Sequence, residues 1–241
     1  VIISYLGAFF VAILPSTRPQ LIRSASLITS VLGLAAALWT AWLYDAPDGG
    51  FRNVVDYSWI PTIGAKFTIG VDGISLPLLL VTGVVAVAGV LMSWRIRDRV
   101  NEFFAYFLAL IGGVYGVFLS MDLFLLFVFY EIAIIPKYFL IAIWGSTRKG
   151  FAAMKLALYS FGGSALVLFG FLALYFASGL DSFDMVRLAS EAEFTSEFQI
   201  VFFPVIFVMV PVTFSATFFA SVPPTFPPLF PAAVPAISGV L

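Results

Sequence analysis

Three ionisable side chains stand where an apolar sequence should have none. In LFVFYEIAIIPKYFLIAIWG, residues 126–145, Glu131 and Lys137 interrupt a run long enough to cross a bilayer, and Lys155 follows near the start of the next apolar run. Counted from Asp122 at 1.5 Å per residue, Glu131 lies about 14 Å into a core of about 30 Å, almost at the midplane. A carboxylate there costs about 2.5–3.5 kcal/mol on insertion scales, so it must face a bundle interior, a hydrated cavity or a partner. A carboxyl group without water keeps its proton, and an approaching cation makes it let go. That is the chemistry of a proton relay. A neutral Glu hydrogen-bonded to a neighbouring helix is the structural alternative.

Pro136 bears on the same site. It has no N–H to give the carbonyl of Ile132, which is freed one residue after Glu131, so a helix break or kink is expected beside the acid. Lys137 is six residues from Glu131 and therefore about 120° around the helix, so the two do not share a face. It is a candidate for the proton path or an anchor that snorkels to the nearer surface. Lys155, about one turn into its own helix, is open to the same two readings. Asp72 and Asp122 each stand at the start of a helix, where the macrodipole favours a negative group; capping accounts for both.

The elements that must position these groups follow from composition. Of 241 residues, 62% are hydrophobic and 10% charged, too little charge to cover a soluble domain. About seven segments approach the ~20 residues that span a bilayer, near 1–14, 21–43, 72–94, 103–119, 122–144, 152–178 and 199–222. Each must satisfy its own backbone groups in lipid, which makes it a helix. The expected fold is all-α, a polytopic transmembrane bundle. There is no histidine and no cysteine. That removes the usual ligands of iron–sulfur clusters, haem and zinc, so no cofactor or metal is expected in this chain. Nucleic acid is not an expected partner; the lipid bilayer is.

Basic residues alternate along the connections. Arg18, Arg23, Arg95, Arg97, Arg99, Arg148, Lys149 and Lys155 fall on one side; Arg52, Lys66 and Arg187 fall on the other. The positive-inside rule puts the first set in the cytoplasm (or matrix or stroma) and the N-terminus outside, as in a bacterial inner membrane. On the outer side, residues 44–70 mix β-formers with Gly and Pro and predict a short hairpin or irregular flap. The acidic stretch LDSFDMVRLASEAEFTSEF predicts a surface helix with Asp181 as N-cap.

MDLFLLFVFYEIAIIPKYFLIAIWG, followed by FAAMKLALYSFGGSALVLFG, closely resembles the antiporter-like subunits of respiratory complex I, and subunit M (chain 4) most. GVDGISLPLLLVTG at 70–83 and RDRVNEFFAYF at 97–107 fit the same family. The resemblance implies two inverted five-helix repeats, each with a broken helix at mid-membrane. It also implies a Glu in the fifth helix paired with a Lys in the seventh. Glu131 matches that Glu by motif, and Lys155 matches a Lys common in the sixth helix. Lys137 departs from the pattern, where Met is more usual, and receives no role from it. The implied function is proton translocation coupled to NADH:quinone electron transfer. The implied partners are the other membrane subunits, with quinone reduced elsewhere in the complex. Residues 1–101 would then hold the N-terminal helices, 102–222 a partial antiporter-like repeat, and 223–241 a Pro-rich irregular tail.

The opening Val and the short first helix are expected to belong to a longer chain. Beyond about residue 203 the family pattern is lost: the segment from Pro204 has eight of the fourteen prolines and no charge. The missing seventh-helix Lys predicts a frameshift or truncated gene and an incomplete proton path. A cation/proton antiporter, a membrane hydrogenase subunit and an inert membrane bundle are the competing readings.

Overall fold

The structure is a computed structural model that describes residues 1–44, 51–145 and 148–202. Its main elements are α1 (Ile2–Ile13), α2 (Pro19–Leu43), the strands β1 (Arg52–Ile60) and β2 (Ala65–Val71), α3 (Ser75–Met92), α4 (Val100–Leu119), α5 (Leu123–Trp144), α6 (Lys149–Ser178) and α7 (Met185–Glu191). Another helix begins at 196 and reaches 202. Among the described residues five helices, α2 to α6, are long and apolar enough to cross a membrane. With its 12 residues α1 falls short of that length, and the seventh expected span, 199–222, lies almost wholly outside the described residues. The bundle is helical, but the count of seven is not reproduced.

Helix α4 is the centre. It packs against α1, α2, α3 and α5. Its buried residues include Val100, Phe104, Leu108 and Ile111 at three- and four-residue spacing, together with Gly112, Gly113 and Gly116. Lipid gives helices no hydrophobic reason to associate, so close backbone approach must do it, and small residues permit that. A Cβ on Gly116 would come 2.3 Å from Cδ1 of Phe129, and one on Gly113 2.8 Å from Cβ of Ala133. The α4–α5 contact therefore has no room for a methyl group. Helix α2 buries Ser26, Thr29 and Ser30, whose hydroxyls donate to the carbonyls of Ile22 (2.8 Å), Ala25 (2.9 Å) and Ser26 (3.0 Å). Back-bonding of this kind satisfies the hydroxyls without water.

Two apolar clusters stack along the bundle. One gathers Ala8, Val11, Ile22, Val90, Val100, Phe104 and Leu108 near the basic connections. The other gathers Ala37, Val71, Leu79, Ala86, Ile111 and Tyr115 at the opposite end, beneath the hairpin. Outward faces stay apolar, with Phe9, Trp39, Trp42, Val84, Phe161 and Phe176 exposed, as a lipid-facing surface requires.

The connection expected to hold a hairpin or irregular flap holds a hairpin. Strands β1 and β2 pair antiparallel, with Val55 opposite Ile69 and Tyr57 opposite Phe67. The turn ends at Gly64 with φ 65°, and a Cβ there would meet the carbonyl oxygen of Asp181 at 2.0 Å. Only glycine fits that contact and that dihedral. Strand β1 is exposed from Arg52 to Trp59, while β2 lies on the bundle. One expectation fails here. Helix α7 is capped by Asp184, whose side chain accepts from the N–H groups of Val186 and Arg187, and not by Asp181. Asp181 sits at φ 46° in the preceding turn, its carbonyl oxygen close to Gly64 of the hairpin.

Candidate functional site

Asp122 is buried completely and caps α5, the helix that bears Glu131. Its Oδ1 accepts from the N–H groups of Phe124 (2.9 Å) and Leu125 (3.0 Å). Its Oδ2 accepts from the N–H of Lys66 in β2 (3.1 Å). Burial pushes this carboxyl above the usual carboxylate range, and the three N–H bonds offset only part of that. Main-chain bonds reinforce the junction. Met121 N–H donates to Thr68 O (2.9 Å), Leu123 N–H to Phe183 O (2.9 Å) and Met185 N–H to Met121 O (3.0 Å). The start of α5 is thus tied to β2 and to the segment before α7. At α3 a reciprocal pair does the same work on a smaller scale: Ser75 N–H donates to Asp72 Oδ1 (2.7 Å) and Asp72 N–H to Ser75 Oγ (3.0 Å).

From that capped end, Glu131 is eight residues along, about 12 Å into the helix. Phe129 and Ala133, two residues before and after it, face α4. At 100° per residue, Glu131 lies about 160° from each and so turns away from α4. Its residue is half-buried, and its Oε1 is buried with no hydrogen-bond partner among the described residues. An unpartnered oxygen at this depth is costly and in native proteins calls for an explanation.

The remaining expectations divide. Pro136 is inside α5, yet the helix runs unbroken from Leu123 to Trp144. The expected helix break is not there; the proline removes one hydrogen bond from a continuous helix, because the neighbouring turns on either side still hold it. Lys137 is half-buried and forms no salt bridge among the described residues. Lys155 is on α6, which packs against α5, but its side chain is exposed and its Nζ lies 5.6 Å from the ring centroid of Tyr159. Glu131 and Lys155 are therefore on adjacent helices without being brought together as an ion pair among the described residues. The ion pairs that do form, Lys66–Asp56, Arg99–Glu102 and Arg187–Glu191, are exposed and local. No cluster of His, Cys, Asp or Glu among the described residues has the arrangement to hold a metal.

Two features had no signal in the residue pattern. The second oxygen of Asp122 reaches a strand 56 residues away, and Tyr5 and Tyr115 bury phenol oxygens without partners among the described residues. In each case the partner, or its lack, is set by packing between distant segments.

Residues 120–221 match the family model described as NADH:quinone oxidoreductase/Mrp antiporter, transmembrane, so the match continues beyond residue 203, where the family pattern was expected to be lost. The chain is 34% identical over 208 residues to NAD(P)H-quinone oxidoreductase chain 4 of Synechococcus elongatus, covering 84% of this chain and 38% of that one. The likeness is to chain 4. The chain spans well under half the length of the curated relatives it matches. Among solved structures, a chain of respiratory complex I from Thermus thermophilus superposes with a TM-score of 0.73 at 20% identity, over 88% of this chain and 42% of that one. A chain of the Mrp complex from Dietzia sp. superposes with a TM-score of 0.65 at 17% identity, over 90% of this chain and 24% of that one. At those identities the structural likeness concerns the fold. It is the helical fold of complex I and Mrp membrane subunits.

Proposed function

We propose that this chain is a proton-translocating membrane subunit of a complex I-type oxidoreductase, with Glu131 as the group that takes up and releases the proton. The observation that supports this most directly is the buried, unpartnered Oε1 at mid-helix. A purely structural carboxyl would be hydrogen-bonded there, since leaving a buried polar atom unpaired costs about 1–3 kcal/mol. A carboxyl that must alternate between holding a proton and facing a cation cannot be locked into one such bond. Pro136 leaves the Ile132 carbonyl free one residue from Glu131, a second acceptor for water at the same depth. Lys155, exposed on the adjacent helix, and Lys137, half-buried further along α5, are the cations proposed to continue the path.

The rest of the reading is of the same standing. The partial antiporter-like repeat is assigned to the sequence 102–222, of which 102–145 and 148–202 are described, and the hairpin end is assigned to the outer face. The other membrane subunits are the partners, and quinone is reduced elsewhere. Electron transfer is assigned to those other subunits, because this chain has neither histidine nor cysteine to ligate a redox centre. Each positive charge moved against about 100 mV costs about 2.3 kcal/mol, which that electron transfer must supply.

The test is Glu131→Gln in the full subunit, assembled in its complex. Proton pumping coupled to NAD(P)H oxidation should fall by about tenfold or more, as for loss of a positioned acid–base group, with assembly unchanged. Wild-type pumping in an assembled variant removes Glu131 from the mechanism. Sodium-dependent growth rescue without NAD(P)H coupling favours the antiporter reading instead.

A further inference from the structure

At the end of the bundle away from the hairpin, the connections between helices are tied into one surface. Ser16 Oγ donates to Asn101 Oδ1 (3.3 Å), Arg23 Nη2 to Ile96 O (2.9 Å) and Trp144 Nε1 to Asp98 O (2.9 Å). Lys149 Nζ donates to Ile143 O (2.7 Å), which brings the start of α6 to the same place. Arg18, Arg95, Arg97, Arg148 and Lys149 are exposed on this surface, and none of them enters a salt bridge among the described residues. Against them stand Asp98 and Glu102, and Glu102 is already paired with Arg99. Helices α2, α4 and α6 also begin here, with Arg18, Arg99 and Arg148 as N-caps and no side-chain cap bond at any of them. At the hairpin end, by contrast, α5 and α7 start on Asp122 and Asp184. An anion arriving at the basic end gains from the side chains and from the positive helix poles together.

The neighbouring apolar side chains select the kind of anion. Ile13 and Leu21 flank Arg18, Leu91 and Met92 precede Arg95, and Phe151 follows Lys149, all of them exposed. A free phosphate gains nothing from that surface. A molecule with an anionic head and acyl tails gains from both parts, because the cations lie at the rim of the lipid-facing helices. We propose that this end of the bundle binds anionic phospholipids in preference to zwitterionic ones. Arg18, Arg95 and Arg97 hold the headgroup, and Leu21 and Met92 border the acyl chains. The preference is separate from the orientation that the same basic residues predict, and it holds whether or not Glu131 carries protons.

Photolabelling of the intact complex reads this at the level of peptides. The complex is reconstituted in vesicles of phosphatidylcholine and phosphatidylglycerol at equal mole fractions, with a diazirine in the acyl chain of one lipid or the other. The phosphatidylglycerol probe should label the peptides of Leu21 and Met92 about fivefold more than the phosphatidylcholine probe, the effect of one basic side chain beside an anionic headgroup. Around Trp39 and Trp42, exposed at the hairpin end of α2, the two probes should label equally. Arg18→Gln, Arg95→Gln and Arg97→Gln together should bring the first ratio to parity, while lysine at the same positions should keep it. These side chains are exposed, and Arg23, which holds Ile96, stays in place. Parity in the wild type overturns the proposal, and so does a preference that survives the glutamine variant. Failure of both probes to label the peptides of Leu21 and Met92 overturns it as well, since a neighbouring subunit then covers this end instead of lipid.

Discussion

Replacing Asp122 by alanine removes three hydrogen bonds at one stroke. The loss of the N-cap costs about 1 kcal/mol, with a range of about 0.5–2. The N–H of Lys66 is then left without its acceptor under the hairpin, which costs about 1–3 kcal/mol more. Asp122→Ala should therefore destabilise the chain by about 2–4 kcal/mol, towards the upper end because the residue is fully buried. Asp122→Asn keeps an oxygen for Phe124 and Leu125 but can turn an NH₂ group towards Lys66, so its loss should be about half as large. The assay is equilibrium unfolding of the full chain in mixed micelles, followed by tryptophan fluorescence. The pH dependence has a definite sign. Burial raises this carboxyl in the folded state, so its contribution is fully present below the usual carboxylate range. That contribution is lost as pH rises through the raised value, and Asp122→Asn should flatten this part of the profile. An alanine variant within about 0.5 kcal/mol of wild type would show that the junction does not depend on Asp122.

Gly116→Ala puts a methyl into the Phe129 ring and should cost about 1–3 kcal/mol in the same unfolding assay. Gly162→Ala, in α6 with nothing within 4 Å of the new Cβ, should be neutral or stabilising by up to about 1 kcal/mol. Pro136→Ala restores the hydrogen bond to the Ile132 carbonyl. It should not weaken the chain, while under the proposed function it lowers proton pumping severalfold in the assembled complex.

The sequence was a good guide to which segments are helices and a poor one to their faces. Long apolar runs bounded by charge located α2 to α6, because a lipid-spanning chain has few alternatives. The place of Glu131 along α5 was legible as well, since it can be counted from the cap at Asp122. Facing was not. Helix α6 is apolar on nearly every side, so periodicity gives no stripe from which to orient Lys155, and the side chain turns out to be exposed over Tyr159. That Asp184 and not the expected Asp181 caps α7 was equally closed to inspection. Both residues suit the position by type, but Asp181 stands at φ 46° while Asp184 has the extended backbone of an N-cap and accepts from Val186 and Arg187. Pro136 warns of a related error. A proline removes one bond, and whether a helix breaks there depends on the neighbours that hold the turns on either side.

The junction at the start of α5 makes that end a fulcrum. The far end is held by the bond from Trp144 Nε1 to Asp98 O (2.9 Å), by the bond from Lys149 Nζ to Ile143 O (2.7 Å) and by the ring contacts of Trp144 with Phe103 and of Phe139 with Tyr106. Trp144 lies about 32 Å from the fulcrum and Glu131 about 12 Å, at 1.5 Å per residue. A tilt of about 5° would then sweep the far end through about 3 Å while moving the turn that bears Glu131 by about 1 Å. Any displacement of the far end that pivots on this junction would therefore reach the turn of Glu131 reduced to about a third.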